Sequence, residues 1–278
     1  MKPNRSKKRT TWIYILILII GLGLLLYPGV SSYWNSVVAS HAVEDYSETV
    51  KELAPEDYSG IFAQAEDYNV RLSELPAPMS QYGMLTDYND TLRVGDNSLM
   101  GVIRIDKINV ELPIYHGTSG SALSDGVGHM EGTALPLGGE GNHTVLSAHR
   151  GLPGSRLFTD LDKLEEGDTF TVTVLDRTLT YEIDRVSVTL PDETQYLLPV
   201  EGEDHCTLLT CTPYGVNTHR LLVRGTRIDN LPDKEVRVVN EAVMVDKSAV
   251  ALVLVIPILI ILLLITGIID RRNRRYGL

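Results

Sequence analysis

Basic residues are scarce in this sequence outside its two ends. Nine of the 25 Lys and Arg residues lie in residues 1–11 and 270–278, so the intervening chain carries 16 basic against 35 acidic residues, a formal charge of −19. Because phosphate binding needs Lys and Arg, this balance argues against nucleic acid as a partner. Solubility is the ordinary reason for such an acidic surface, and attraction of a lysine-bearing substrate is a second one.

Cysteine is almost absent, since Cys206 and Cys211 are the only two in 278 residues. Five positions apart on an unbroken strand, they would lie about 16 Å apart and on opposite faces. A disulfide needs Cα atoms within about 7 Å, so we expect no bridge between them. We expect Cys206 to be a buried small side chain, which leaves Cys211 as the candidate reactive thiol.

The sequence also lacks internal repeats, low-complexity tracts and clusters of metal-ligating residues. Asp125 and Asp160 are isolated acids without the spacing of a Ca²⁺ loop. We therefore predict no metal site.

Two long uncharged runs are present, Trp12–Val30 and Ser248–Ile269. Each is long enough for a membrane helix, which needs about 20 apolar residues. Lys and Arg cluster before the first run and after the second, and such clusters mark the cytoplasmic side. We therefore expect transmembrane segments at 12–30 and 248–269, cytoplasmic tails at 1–11 and 270–278, and an extracellular region at the cell membrane between them.

The first run has an alternative interpretation as a cleaved signal peptide. Its apolar core is longer than the roughly 7–15 residues usual in such peptides, which favours an uncleaved anchor.

The periodicity of apolar residues divides the extracellular region into three parts. Spacings of three and four predict helix from His41 to about Leu75, and Pro, Gly, Asp and Asn predict loop from Leu75 to Asn97, with one helical turn around Tyr88. We assign 31–98 to a helical stalk and lid-like region. Alternating runs over 99–229 predict a closed, mainly β barrel, and 230–247 is a linker. The predicted strands are 100–105, 110–115, 126–132, 143–147, 169–175, 179–188, 207–211 and 220–228, with a short helix over 155–164.

Three residues of complementary chemistry stand at predicted strand ends: His149, Cys211 and Arg220. A barrel can gather such ends at one rim. A Cys–His pair supplies the nucleophile and the acid/base group for acyl transfer, and a fixed cation stabilises a thiolate or an oxyanion. A single histidine at a strand end is more often a packing residue, so the interpretation depends on all three together.

The other histidines and arginines near these motifs have simpler interpretations. We expect loop or packing roles for His116, His129, His143 and His219, and surface or ion-pairing roles for Arg150 and Arg224.

Around these residues the sequence resembles the sortases, the cysteine transpeptidases of Gram-positive bacteria, and it is close to the class C pilin polymerases. Thr207–Cys211 fits the family's TLxTC signature, and Tyr214–Leu221 fits its arginine strand. Residues 112–118, 126–133 and 157–164 also look like class C segments. The resemblance covers about 100–228, and the two membrane segments match the class C layout.

This resemblance implies a sortase-type eight-stranded β-barrel with short helices, an N-terminal helical region and two flanking transmembrane helices. It implies Cys211 as nucleophile, His149 as acid/base and Arg220 as the residue that stabilises the oxyanion or substrate. The reaction it implies cleaves an LPxTG-like sorting signal between Thr and Gly, and a pilin lysine amine then resolves the thioacyl-enzyme. It implies no redox or nucleotide cofactor.

One feature departs from the class C pattern. Those enzymes usually carry a lid with an Asp-Pro-aromatic motif, and no such motif occurs between Leu75 and Asn97. Pro78-Met79, Tyr82 and Asp87-Tyr88 are the candidate substitutes. We therefore predict an active site that is less occluded than is normal for the class.

Three other functions remain open at this point. A sortase that anchors surface proteins to peptidoglycan would use the same catalytic set. A non-catalytic surface adhesin would not need Cys211, and a hydrolytic cysteine protease would show no preference for an added amine.

Overall fold

The computed structural model describes residues 5–94, 99–152 and 154–230. Of these, residues 32–230 belong to one compact unit and residues 5–31 to another. The predicted second membrane segment, 248–269, the tail at 270–278 and all but the first residue of the predicted linker lie outside the described residues.

Helix α1 runs from Arg5 to Glu52. Its part from Leu16 onward contains a stretch long and apolar enough to cross a membrane, by length and composition alone. This agrees with the predicted apolar segment at 12–30. Because a signal sequence meets the same criterion, the choice between anchor and cleaved peptide stays a prediction.

Helix α2, Pro55–Ser73, begins with proline in its first turn, where a missing N–H costs nothing. The Asp57 carboxylate accepts a hydrogen bond from the Ala54 N–H at 3.2 Å, which satisfies one backbone donor at that end. Phe62, Ala65 and Tyr68 are buried, so the predicted helical spacing is confirmed here. The helix thereby buries one face against the barrel core.

The barrel closes in the order β1-β2-β3-β4-β7-β8-β6-β5, which confirms the predicted eight strands and the mainly β class. The β2–β3 and β4–β7 pairs are parallel and the others antiparallel. The strands are β1 Leu99–Ile105, β2 Val110–His116, β3 Val127–His129, β4 Asn142–Ser147, β5 Thr169–Val174, β6 Arg177–Thr189, β7 Asp204–Thr212 and β8 His219–Ile228.

Short helical elements join the strands and the lid-like region. Helix α3 covers Pro78–Gln81, 3₁₀ turns cover Tyr82–Met84 and Tyr88–Asp90, and helix α4 covers Gly120–Asp125. The helical turn predicted near Tyr88 is thus present, as a 3₁₀ turn.

The predicted helix over 155–164 is wrong, because only Leu161–Lys163 is helical there, as a 3₁₀ turn. Leu157 has a φ of 36°, outside the helical region, which interrupts any continuous helix. The irregular path still buries Leu157, Phe158 and Leu161 together in the core.

Candidate active site

Strand alternation decides which side chains of β7 reach the outer face of the barrel. Cys206 and Leu208 point into the core, where both are almost fully buried. Leu209 and Cys211 have the opposite parity and face outward, and Cys211 is partly exposed. Both cysteines are free, as expected from their spacing.

Cys211 and Arg220 lie directly opposite each other in the antiparallel β7–β8 pair. Side chains at such positions share a face and have Cβ atoms about 4.5–5.5 Å apart. The next same-face pair along the two strands is Leu209 and Leu222. The side chains of Cys211 and Arg220 therefore lie next to each other on neighbouring strands, at one end of a row of same-face pairs.

His149 follows the end of β4, the strand on the other side of β7. Ser147 pairs with Leu209 in the parallel β4–β7 ladder, and the Ala148 N–H continues it by donating to the Leu209 carbonyl at 3.1 Å. The Thr210 hydroxyl donates to the Ala148 carbonyl at 2.8 Å, so the segment that leads into His149 runs beside the end of β7 that carries Cys211. The ends of three adjacent strands thus bring His149, Cys211 and Arg220 to one rim of the barrel.

The loop between β7 and β8 holds the Arg220 guanidinium. Its Nη1 donates to the carbonyls of Asn217 at 3.3 Å and of His219 at 3.1 Å. Asn217 has a φ of 62°, a left-handed turn conformation that asparagine tolerates better than most residues. These contacts restrict the directions available to the charged group.

The same loop touches the segment that carries His149. A Cβ placed on Gly151 would lie 2.9 Å from the Tyr214 ring, so the ring packs closely on the backbone of Gly151. Gly151 also has a φ of 74°, which favours glycine. The two loops that flank Cys211 are therefore in direct contact.

An apolar strip continues from the Cys211–Arg220 row along the outer face. It consists of Val145, Leu197, Leu209 and Leu222, which are buried together. Met79 of α3 packs against this strip. The Met79 Cα lies 2.8 Å from the position that a Cβ on Gly132 would occupy, so the two backbones are in close contact. The lid-like region therefore contacts the face that carries Cys211, through a methionine.

The lid-like region is attached to the barrel by two further contacts. The Asp87 carboxylate forms an ion pair with Arg71 of α2 at 2.5 Å, which lowers the pKa of that carboxyl. The buried Tyr88 hydroxyl donates to Nδ1 of His129 at 2.8 Å and accepts from the Gly117 N–H at 2.9 Å. Attachment is thus achieved without an Asp-Pro-aromatic motif, while the predicted lower occlusion of the site stays a prediction.

Of the four histidines for which we expected loop or packing roles, three are buried packing residues. His129 also donates from Nε2 to the Ala134 carbonyl at 2.9 Å, and His143 contacts the Thr207 hydroxyl at 2.7 Å. Burial lowers the pKa of both His129 and His143 to about 4. His116 is buried beside Tyr88, and His219 is partly exposed beside Arg220, where strand alternation turns it to the other face.

The expectations for Cys206, Arg150 and Arg224 also hold. Burial raises the pKa of the Cys206 thiol, so that sulfur stays protonated. Arg150 is ion-paired with Asp162, and Arg224 with Asp184. Among the described residues no group of three or more His, Cys, Asp and Glu side chains could hold a metal ion.

Comparison with known proteins adds independent findings. The family model for the sortase domain matches residues 103–228. Sortase C1 from Streptococcus agalactiae superposes with a TM-score of 0.64 and 45% identity, covering 69% of this chain and all of that structure. The chain belongs to the sortase family. Solved sortase C structures are among its structural neighbours.

Two further structures resemble this sortase closely. Sortase C of Streptococcus pneumoniae, studied for catalysis and pilin substrate specificity, has a TM-score of 0.62 and 40% identity over 69% of this chain and 99% of its own. Sortase C of Clostridium perfringens, solved with the C-terminal cell wall sorting motif, has a TM-score of 0.59 and 39% identity, with coverage of 69% and 100%.

The similarity to full-length curated sortases is more partial. Sortase D of Bacillus subtilis is 32% identical over 131 residues, which span 46% of this sortase and 63% of that protein. This chain therefore spans less than two thirds of that relative's length.

Proposed function

We propose that this sortase is a membrane-anchored cysteine transpeptidase that polymerises pilins. The observation that carries the proposal is the position of His149, Cys211 and Arg220 on three adjacent strand ends, with Cys211 and Arg220 in direct register. Nucleophile, proton carrier and fixed cation are the three groups that acyl transfer through a thioester needs.

The first half-reaction takes place at the Cys211 sulfur. The thiolate attacks the carbonyl of the threonine in an LPxTG-like sorting signal, and Arg220 stabilises the oxyanion that forms. The Thr–Gly C–N bond then breaks, and His149 donates a proton to the departing glycine amine. A thioacyl-enzyme remains.

The second half-reaction regenerates the thiolate. A lysine amine attacks the thioester carbonyl, gives up a proton to His149 and forms an amide bond, while the Cys211 sulfur departs. No redox or nucleotide cofactor is required, because one acyl group moves between two nucleophiles. The similarity to the sortase C structure studied for pilin specificity supports a pilin lysine as the acceptor.

The apolar strip supports a sorting signal as the first substrate. Val145, Leu209 and Leu222 extend from the reactive row beneath Met79 and Met130, so an extended peptide that displaces Met79 would place apolar side chains on the strip and its scissile bond at Cys211. The C. perfringens sortase C with a bound sorting motif supports the same substrate class.

The proposed location is the cell membrane, with the barrel outside the cell and both termini inside. The apolar part of α1 supports a membrane anchor. The second span, 248–269, is proposed from its sequence and the resemblance to class C enzymes.

Mass spectrometry and a polymerisation assay test the function together. We expect an LPxTG peptide to leave an acyl adduct on Cys211, and a pilin with an LPxTG-like tail to form a ladder of covalent multimers. Cys206→Ala is the matched control and should keep both, whereas Cys211→Ala should lose both.

Other outcomes identify the alternatives. An adduct with monomer release and no ladder, but with transfer to a peptidoglycan amine, indicates wall anchoring. Hydrolysis without preference for an added amine indicates a protease. Absence of any adduct contradicts the enzymatic proposal.

A further inference from the structure

Arg150 immediately follows His149, yet its side chain does not extend into solvent. Only 10% of the side chain is exposed, and its Nε atom is buried without a hydrogen-bond partner among the described residues. Burying a guanidinium is costly unless its contacts compensate. The other two nitrogens of this guanidinium make those contacts.

The Arg150 guanidinium connects two elements on opposite sides of the His149 segment. Its Nη1 donates to the Thr212 hydroxyl at 3.1 Å, and its Nη2 forms an ion pair with the Asp162 carboxylate at 2.5 Å. Thr212 is the residue after Cys211. Arg150, the chain neighbour of His149, is therefore hydrogen-bonded to Thr212, the chain neighbour of Cys211.

The backbone that carries Asp162 is attached to the core, while the Asp162 side chain itself is 47% exposed. Asp162 lies in the 3₁₀ turn Leu161–Lys163, and both Leu161 and Phe158 are fully buried. The backbone of this segment also holds His149, since the Phe158 N–H donates to the His149 carbonyl at 3.2 Å. One side of the bridge is thus fixed to the core.

The backbone around His149 needs such fixing because it has left the β4 ladder. The β4 strand ends at Ser147, and Gly151 adopts a left-handed conformation. The Gly151 N–H makes a long hydrogen bond of 3.3 Å to the Thr159 hydroxyl. A charged side chain that binds both β7 and the 3₁₀ turn restrains the segment from two sides.

We propose that Arg150 is a positioning residue, which holds the His149 imidazole at the distance from Cys211 that proton transfer requires. The inference rests on the proposed function and adds a residue to it. Arg150 itself touches neither the sulfur nor the substrate carbonyl in this role. It acts by joining Thr212 and Asp162 across the segment that carries the histidine.

The leaving group distinguishes this role from general support of the fold. When an amide is cleaved, the amine is a poor leaving group until His149 protonates it, so its release depends on the position of the imidazole. When a thioester is cleaved, the leaving group is a stable thiolate, which departs without a proton. Misplacing His149 should therefore slow acylation by an amide far more than acylation by a thioester.

The experiment measures formation of the acyl adduct on Cys211 in the full-length protein in detergent. The two substrates are an LPETG peptide and a thioester with the same LPET acyl group, and quenched samples are read by intact-protein mass spectrometry. For Arg150→Ala we expect the amide rate to fall about 100-fold, the scale of a 1 Å misplacement, and the thioester rate by less than about threefold.

Two variants refine the comparison, and a third is the matched control. Arg150→Lys should recover part of the amide rate, because an ammonium cannot reproduce the planar two-sided contact. Thr212→Val removes one acceptor while Arg150 remains, and should show the same selective loss to a smaller degree. Arg156→Ala removes the exposed ion pair with Asp160 in the same segment and should leave both rates unchanged.

Each outcome has a definite meaning. Equal losses on both substrates in Arg150→Ala and Thr212→Val, or an unchanged amide rate in both, overturn the positioning role. If Arg150→Ala does not fold, the Thr212→Val result decides alone. A wild-type protein that forms no adduct with either substrate overturns the proposed function itself, which is a different result from an active wild type with unselective variants.

Discussion

Arg220 supplies the fixed positive charge of the proposed site. It lies opposite Cys211 in the β7–β8 register and is held by two backbone carbonyls of its own loop. Such a preorganised cation needs no rearrangement when charge develops on the substrate oxygen. Its contribution should therefore appear in the chemical step.

We predict that Arg220→Ala lowers kcat/KM for an LPxTG peptide by about 100- to 1000-fold, the range found when one oxyanion-stabilising group is removed. Arg220→Lys should give a smaller loss, because the charge remains but the planar donor set does not. Steady-state kinetics measure this. Arg185→Ala, an exposed arginine on the adjacent strand β6, is the control and should change little; an equal loss in that variant would contradict the assignment.

The buried histidines predict a pH dependence of stability. Burial lowers the pKa of His129 and His143 to about 4, from 6.5 in an unfolded chain. Between about pH 6.5 and 4 the unfolded chain binds more protons, so the free energy of unfolding falls as the pH is lowered through this window. Each histidine accounts for up to about 3 kcal/mol, and the contribution is fully present above pH 6.5.

Urea unfolding at pH 7.5 and pH 5 measures this effect. We expect His129→Gln combined with His143→Gln to reduce the slope, because these two imidazoles can no longer bind protons on unfolding. His41→Gln is the control, since His41 is 68% exposed and should leave the slope intact. A slope as steep in the double variant as in the wild type would contradict the prediction.

At the scale of elements, the lid-like region is attached by Tyr88 and Asp87 and touches the apolar strip with Met79. Met79 is only half-buried, and Cys211 is partly exposed with the segment in place. A methionine on the strip competes with apolar side chains of a peptide for the same surface. The region should therefore affect substrate affinity more than thiol access.

We predict that Met79→Asp lowers KM for an LPxTG peptide about fivefold, since releasing a half-buried methionine is worth about 1 kcal/mol. The rate of Cys211 alkylation by iodoacetamide should change by less than about twofold, because Cys211 is already partly exposed with the segment in place. Met84→Asp, at a position 70% exposed in the same region, is the control. A sharp rise in alkylation would show that the region covers the thiol and that our expectation of an open site is wrong.

The elements show where sequence pattern is sufficient and where it is not. Alternation in β7 sends Cys206 and Cys211 to opposite faces, because a strand has a period of two whatever surrounds it, and the structure agrees. The helix expected over 155–164 is interrupted at Leu157, whose φ of 36° lies outside the right-handed helical region. The spacing of apolar residues does not reveal where the backbone departs from a helix.

Some features of the candidate site were also predictable from the sequence, and others were not. Motifs placed His149, Cys211 and Arg220 at strand ends, but the sequence did not reveal that Arg150 reaches Thr212 and Asp162, or that Met79 lies on the strip. Both contacts join residues far apart in the chain. Asp162 lies within a segment that resembles the family, which was the available signal for its importance.

At the scale of the whole molecule, one buried tyrosine joins helix α1 to the barrel. The Tyr46 hydroxyl accepts from the Leu175 N–H at 2.9 Å and donates to the Met100 carbonyl at 3.3 Å. Desolvation raises the pKa of Tyr46 to about 12, so the hydroxyl keeps its proton at all ordinary pH values. The contact ties the outer part of the helix to β1 and to the turn after β5.

We predict that Tyr46→Phe lowers the free energy of unfolding by about 1–3 kcal/mol, because it leaves a buried backbone N–H and carbonyl without their partner. Thermal or urea unfolding of the full chain measures this. Tyr33→Phe is the control, since Tyr33 is 70% exposed on the same helix. A loss in the control equal to that in Tyr46→Phe would contradict the mechanism.

The opposite orientation of the two sulfurs on β7 has a consequence for redox damage. Cys211 has no second thiol within reach of it in the same molecule, because Cys206 is enclosed in the core. Peroxide should therefore convert Cys211 to a sulfenic acid or, with glutathione present, to a mixed disulfide, instead of an internal bridge. Intact mass after peroxide treatment, and its reversal by dithiothreitol, would show whether the protein depends on outside reductants to recover.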